Sequence, residues 1–205
     1  MVQAAPATRL SVPANKRELL EQIRGKLEGE GLSAAALEKL SLMLQCFLHA
    51  DLEEVLKLQA SQLLLFKIGD PGSRLSALRY LASYLENKNL NYAEKGSIVS
   101  VVDTLLAEKQ LGGPVREKAQ YLLFIADPAR LKTEEELKSV LGYLRGIAEG
   151  EGFTTESAQQ KVLQSLSALS AMPNVSEKLK KAAQYLEFKI RNPRENPTWD
   201  RISGN

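Results

Sequence analysis

Cys46 and His49 are the only cysteine and the only histidine in the 205-residue chain, and they stand three residues apart. On a helix that spacing puts both on one face. An imidazole beside a thiol can raise the thiolate fraction that nucleophilic catalysis needs. The context argues for a plainer role. Cys46 lies inside the apolar run LSLMLQCFLHA, residues 40–50, where a cysteine behaves as a small buried hydrophobe. No third residue is identifiable to orient the imidazole. The expectation is therefore a buried structural cysteine. A lone cysteine also excludes a disulfide within the chain, which fits a reducing compartment.

The remaining chemical candidates fail on count or spacing. One His and one Cys cannot supply a zinc site. The Gly-Glu turns offer at most two carboxylates, too few for calcium. Glu53 and Glu54, and Glu134 to Glu136, read as helix-start residues favoured by the positive end of the helix dipole. GDPGS (69–73) and LGGPV (111–115) read as turns between helices, because neither carries the Lys-Ser/Thr of a phosphate-binding loop. No constellation nominates an enzyme, a cofactor or a metal.

Charge gives no direction either. Lys and Arg number 27 against 25 Asp and Glu, a net of +2. A nucleic-acid binder concentrates basic residues on one face, whereas the densest cluster, EKLKKAAQ at 177–184, reads as a solvated helix end with acidic residues interspersed. No specific nucleic-acid binding is expected. The N-terminus has no continuous apolar core of signal-peptide length, since Pro6 and Pro13 interrupt it. No window reaches the length of a membrane-spanning helix. These readings lead to the expectation of a soluble, cytoplasmic protein.

What does carry information is the set of elements. Hydrophobic residues make up 44% of the chain and aromatics 6%, with Leu and Ala, both strong helix formers, supplying most of the apolar mass. One helix is written three times: ASQLLLFKIGDP (60–71), KAQYLLFIADP (118–128) and AAQYLEFKIRNP (182–193). Aligned on Phe66, Phe124 and Phe188, the copies share Gln62, Gln120 and Gln184, and the small residues Ser61, Ala119 and Ala183. Each closes on Asp-Pro or Asn-Pro, at Pro71, Pro128 and Pro193, and a proline stops a helix because it has no N–H to donate. The three phenylalanines are expected at equivalent buried positions. The glutamines either bond a neighbouring loop or face solvent.

A second landmark repeats at nearly the same interval. Gly31, Asn89 and Gly152 fall where a left-handed residue ends a helix. The apolar residues Leu32, Leu90 and Phe153 follow, and then the N-cap types Ser33, Asn91 and Thr154 or Thr155. Asn91 with Glu94, and Thr133 with Glu136, have capping-box spacing. Between the landmarks run apolar stripes at helical steps: Leu40, Leu44, Phe47; Ile98, Val102, Leu105; Val162, Leu166, Leu169. The preceding helices carry Leu20, Ile23, Leu27; Leu78, Leu81, Leu85; Leu141, Leu144, Ala148.

The expected fold is all-α: a single helical domain over 16–193, built as a right-handed solenoid of three tandem three-helix repeats at 16–71, 73–128 and 133–193. Segments 1–15 and 194–205 read as tails. The layout resembles armadillo and HEAT solenoids, with a longer period than the roughly 40–47 residues typical of those. Such arrays offer extended surfaces, so the expected role is a non-enzymatic scaffold, adaptor or regulator that binds a protein segment between helices. Candidate partner-binding residues are Arg79, Tyr80, Tyr84, Tyr143, Arg145 and Trp199. The competing roles are tyrosines that fill gaps between repeats and a Trp199 that caps the last one. The alternative functions are a nucleic-acid-binding helical repeat, or an enzyme or effector whose site the sequence does not display.

Overall fold

A computed structural model describes residues 15–29, 31–87, 90–150, 153 and 155–192. These form nine α-helices and no strand: α1 (Lys16–Glu28), α2 (Ala34–His49), α3 (Glu54–Leu63), α4 (Pro71–Asn87), α5 (Tyr92–Leu106), α6 (Gly113–Ala126), α7 (Glu134–Glu149), α8 (Glu156–Ala171) and α9 (Glu177–Arg191). A π-turn, Leu64–Ile68, continues α3, and a 3-10 turn, Pro128–Arg130, follows α6. No described helix is long and apolar enough to cross a membrane.

The chain divides into two compact units between Leu81 and Ala82, inside α4. In the first unit, α2 packs on α3 and its π-turn, and α1 touches both. Its core includes Leu20, Ile23, Leu44, Leu64 and Leu78, all fully buried. In the second, α6 lies between α5 and α7, α7 also meets α8 and α9, and α8 packs on α9. Val102, Leu105, Leu122, Leu144 and Leu166 are fully buried there. Each such leucine contributes about 1.5–3 kcal/mol when taken from water.

Four of the helices start where the sequence marks them. Asn91 Oδ1 accepts the Glu94 N–H at 2.9 Å while Glu94 Oε2 accepts the Asn91 N–H at 2.8 Å, and Thr133 and Glu136 form the same reciprocal box at α7. Ser33 and Thr155 cap α2 and α8. Gly31 takes φ 84°, the left-handed conformation that glycine adopts without steric cost. Asn89, Gly152 and Thr154 lie outside the described residues, as do residues 1–14 of the first tail, the second tail with Trp199, and Pro193, while Asn15 caps α1.

All nine residues of the central-helix stripes are buried. In the preceding helices the first two positions are buried (Leu20, Ile23; Leu78, Leu81; Leu141, Leu144), while the third (Leu27, Leu85, Ala148) is half-buried.

Four expectations need correction. Phe66 is 37% exposed, whereas Phe124 is 4% exposed and Phe188 is half-buried. The positions buried in all three copies are the small residue (Ser61, Ala119, Ala183) and the leucine three on (Leu64, Leu122, Leu186). The phenylalanine sits two residues past that leucine, rotated about 200° around the helix. It is buried only in α6, where α5 and α7 pack. The glutamines divide likewise: Gln62 and Gln184 are exposed, and Gln120 is buried with no hydrogen bond to its Oε1. Cys46 is exposed, because the buried positions of α2 (Leu40, Leu44, Phe47, Leu48) leave it on the opposite side.

The fourth correction concerns the first Asp-Pro. The left-handed Gly69 (φ 72°) closes the π-turn by donating its N–H to the Leu64 carbonyl. Pro71 then opens α4, where its fixed φ and missing N–H suit a first helical position. GDPGS is therefore a stop followed at once by a start, and the second helical segment begins two residues before the expected Ser73. LGGPV also enters a helix: Gly112 is the N-cap of α6, and Gly113 and Pro114 are its first residues.

Candidate partner-binding grooves

Arg79 lines an open groove of about 600 Å³ between α2 and α4, within the first compact unit. Leu37 and Leu42 flank it from α2, with Ile68 and Leu75 on the other side. Leu42 is 57% exposed, a large apolar side chain left to water on the rim. The floor is polar. Ser41 Oγ and Ser73 Oγ lie 2.6 Å apart and are 6% and 1% exposed. Ser73 Oγ donates to Asp70 Oδ2, so Ser41 donates to Ser73. Gln45 Nε2 donates to Ser41 Oγ at 3.0 Å, and Ser76 Oγ donates to Gln45 Oε1 at 3.2 Å.

This chain of donors ends on a carboxylate. Asp70 is the N-cap of α4: its Oδ1 accepts the Ser73 N–H at 3.0 Å. Partial burial raises its pKa, but the Ser73 hydroxyl and the Ser73 and Gly72 N–H groups outweigh that, and the carboxyl is held below its ordinary value. The anion that caps the helix is also the terminal acceptor of the groove floor.

Arg145 lines a second groove, about 270 Å³, between α7 and α9 in the second unit, over Leu141, Gly142, Leu179 and Ala182. Glu134 and Lys138 occupy one end of it and pair with each other at 3.4 Å. Arg79 and Arg145 are both exposed.

The tyrosines proposed as contact residues are engaged inside the protein. Tyr80 is half-buried and donates to Glu54 Oε2 at 2.7 Å. Tyr84 is half-buried. Tyr143 accepts from the buried Lys118, whose Nζ lies 4.3 Å from the Tyr143 ring centroid, a cation–π geometry. The Tyr121 ring stacks beside Tyr143 at 4.7 Å. Burial, then the neighbouring Glu86 carboxylate, push the Tyr121 hydroxyl well above the usual phenol range, so it remains a donor to Glu86 Oε1. Lys161 holds the other Glu86 oxygen at 3.1 Å. Sequence reasoning missed this network and the serine floor. Its partners are up to 75 residues apart, as Lys161 and Glu86 are, and no local pattern records such pairs.

Cys46 and His49 lie on α2, and both are exposed. Among the described residues no group of three or more His, Cys, Asp or Glu side chains converges to hold a metal ion. No known protein family, curated protein or solved structure matches the chain.

Proposed function

We propose that the protein is a non-enzymatic interaction module, a scaffold, adaptor or regulator, built as three tandem three-helix repeats in the manner of armadillo-like solenoids. The observation that carries the functional part is the α2/α4 groove, whose rim leaves Leu42 and Arg79 open to solvent. Exposed apolar surface bordered by polar groups is what a partner segment covers. Arginine suits such a rim: its stem covers apolar surface while the guanidinium meets a carboxylate or carbonyl. The repeat reading is supported by the matching burial of the three stripes and of the three preceding helices. Arg145 places a second arginine beside an apolar floor.

The test is affinity capture on the immobilised chain. The double variant R79E/R145E is expected to lose the partner that wild type retains, with its melting temperature within about a degree of wild type, since exposed substitutions change stability by less than about 0.5 kcal/mol. Undiminished capture by the folded double variant removes both arginines from the interface.

A further inference from the structure

The α2/α4 groove has an electrical direction. Two hydrogen bonds fix how its walls run: Ser41 meets Ser73, and Gln45 meets Ser76. Residue numbers rise together on both sides, so the two helices run parallel along the groove. Glu38 and Asp70 therefore lie toward one end and Arg79 toward the other, all three lining it and all three exposed. Asp70 and Arg79 are nine residues apart, which is about 13 Å at 1.5 Å per residue. The side chains of Glu38 and Arg79 make no ion pair or hydrogen bond among the described residues. Among the described residues, Asp70 is bound by groups of its own cap and floor, which keep it ionised. Between the charged ends lie the apolar side chains of Leu37, Leu42 and Leu75.

We propose that this groove receives an amphipathic helix from a partner protein, lying antiparallel to α2 and α4. An Asp or Glu near the partner helix's N-terminus meets Arg79, and a Lys or Arg about nine residues further on meets Glu38 and Asp70. This rests on the interaction-module reading and adds the partner's chemistry to it. The length follows from the spacing: 13 Å of helix is about nine residues, and apolar side chains at three- and four-residue steps between the charges would lie along Leu37, Leu42 and Leu75. The direction follows from dipoles. An acidic residue near a helix N-terminus and a basic one near its C-terminus both oppose the macrodipole of the helix that bears them. The antiparallel placement also sets the partner's negative C-terminal end against the N-terminal ends of α2 and α4.

The experiment uses the full chain and three synthetic 18-residue helical peptides with one leucine stripe, measured by fluorescence anisotropy. One carries Glu then Lys nine residues later, the second has the two exchanged, and the third carries Gln at both positions. The Glu-first peptide is expected to bind about five- to tenfold tighter than the Lys-first peptide, with the neutral one between, and the differences should shrink with added salt. The double variant E38K/R79E, changed only at exposed positions, is expected to reverse the order, with the Lys-first peptide the tighter. Equal affinities for all three peptides, or an order that the double variant leaves unchanged, overturns the proposal. If none of the peptides binds while capture still depends on Arg79 and Arg145, the helical occupant is wrong and the interaction-module reading stands. If capture too is indifferent to the arginines, both fall.

Discussion

Asp70 joins two tasks in one side chain, and the tasks can be separated by pH. Its folded-state pKa lies below 3.8 because the Ser73 hydroxyl and two backbone N–H groups bind the anion more strongly than burial penalises it. A depressed carboxyl pKa contributes stability that is present above the unfolded value and lost as the pH falls through the folded one. Wild type should therefore lose stability steeply below about pH 4, as acid removes the charged cap. D70A should be less stable by about 0.5–2 kcal/mol at neutral pH, the cost of an N-cap, and the gap should narrow in acid. Urea midpoints at pH 7 and pH 3 check this, and a gap unchanged at pH 3 would contradict it. The phenylalanines give a second residue-scale test. F124A removes a side chain that is 4% exposed and should cost about 3–5 kcal/mol. F66A, at 37% exposure, should cost well under half as much. The recurrence of Phe was legible in the sequence, but its burial was not. A repeated letter records descent or local fit, and burial depends on which face of a helix its neighbours cover, since α3, α6 and α9 each pack on two other helices.

At the scale of elements, capping chemistry carried the most information because it is local. Asn91 with Glu94 and Thr133 with Glu136 form their boxes, and Gly31 is left-handed, as residue types and spacing require. The π-turn was not legible. It closes when Gly69 donates to the Leu64 carbonyl, five residues back, and the sequence LLFKI is equally compatible with a regular last turn. Once seen, it makes Gly69 a point of strain for any other residue. At φ 72° a side chain costs about 1–2 kcal/mol. G69A should lower stability by about that amount, while G96A, inside α5 with open space where its Cβ would lie, should raise it by about 0.5–1 kcal/mol. Paired thermal melts decide the matter, and equal effects at the two positions would contradict it. The face of α2 that bears Cys46 was misread for a different reason. The run at 40–50 is mostly apolar, yet its inward stripe is Leu40, Leu44 and Phe47, and Cys46 lies about 200° round the helix from Leu44.

For the whole molecule, the sequence marked nine helical segments, and nine helices stand among the described residues. It pointed to Arg79 and Arg145, each of which lines a groove, but not to the residues facing them across it, which depend on how neighbouring helices are set, nor to the division of the chain inside α4. That division gives the last prediction its form. The expected repeats meet at Pro71 and Pro128 and lean on one another, and α6 and α7, on opposite sides of the second seam, are packed together in one compact unit. Residues 118 to 124 of α6 are all buried, and part of their cover comes from α7. The Tyr121 ring lies 4.7 Å from that of Tyr143, and Lys118 sits over the Tyr143 ring. A chain stopped after Pro128 keeps α1 to α6 and exposes that side of α6 to water. Losing cover over even three or four large side chains, each worth about 1.5–3 kcal/mol, rivals the 5–15 kcal/mol that holds a whole domain folded. The 1–128 fragment should accordingly bind an apolar dye such as ANS and melt without a sharp transition, whereas the full chain should melt cooperatively. Independent repeats predict the opposite. A cooperative melt of the fragment, free of dye binding, would show that α6 is complete without α7 and that the seam at Pro128 is a true boundary.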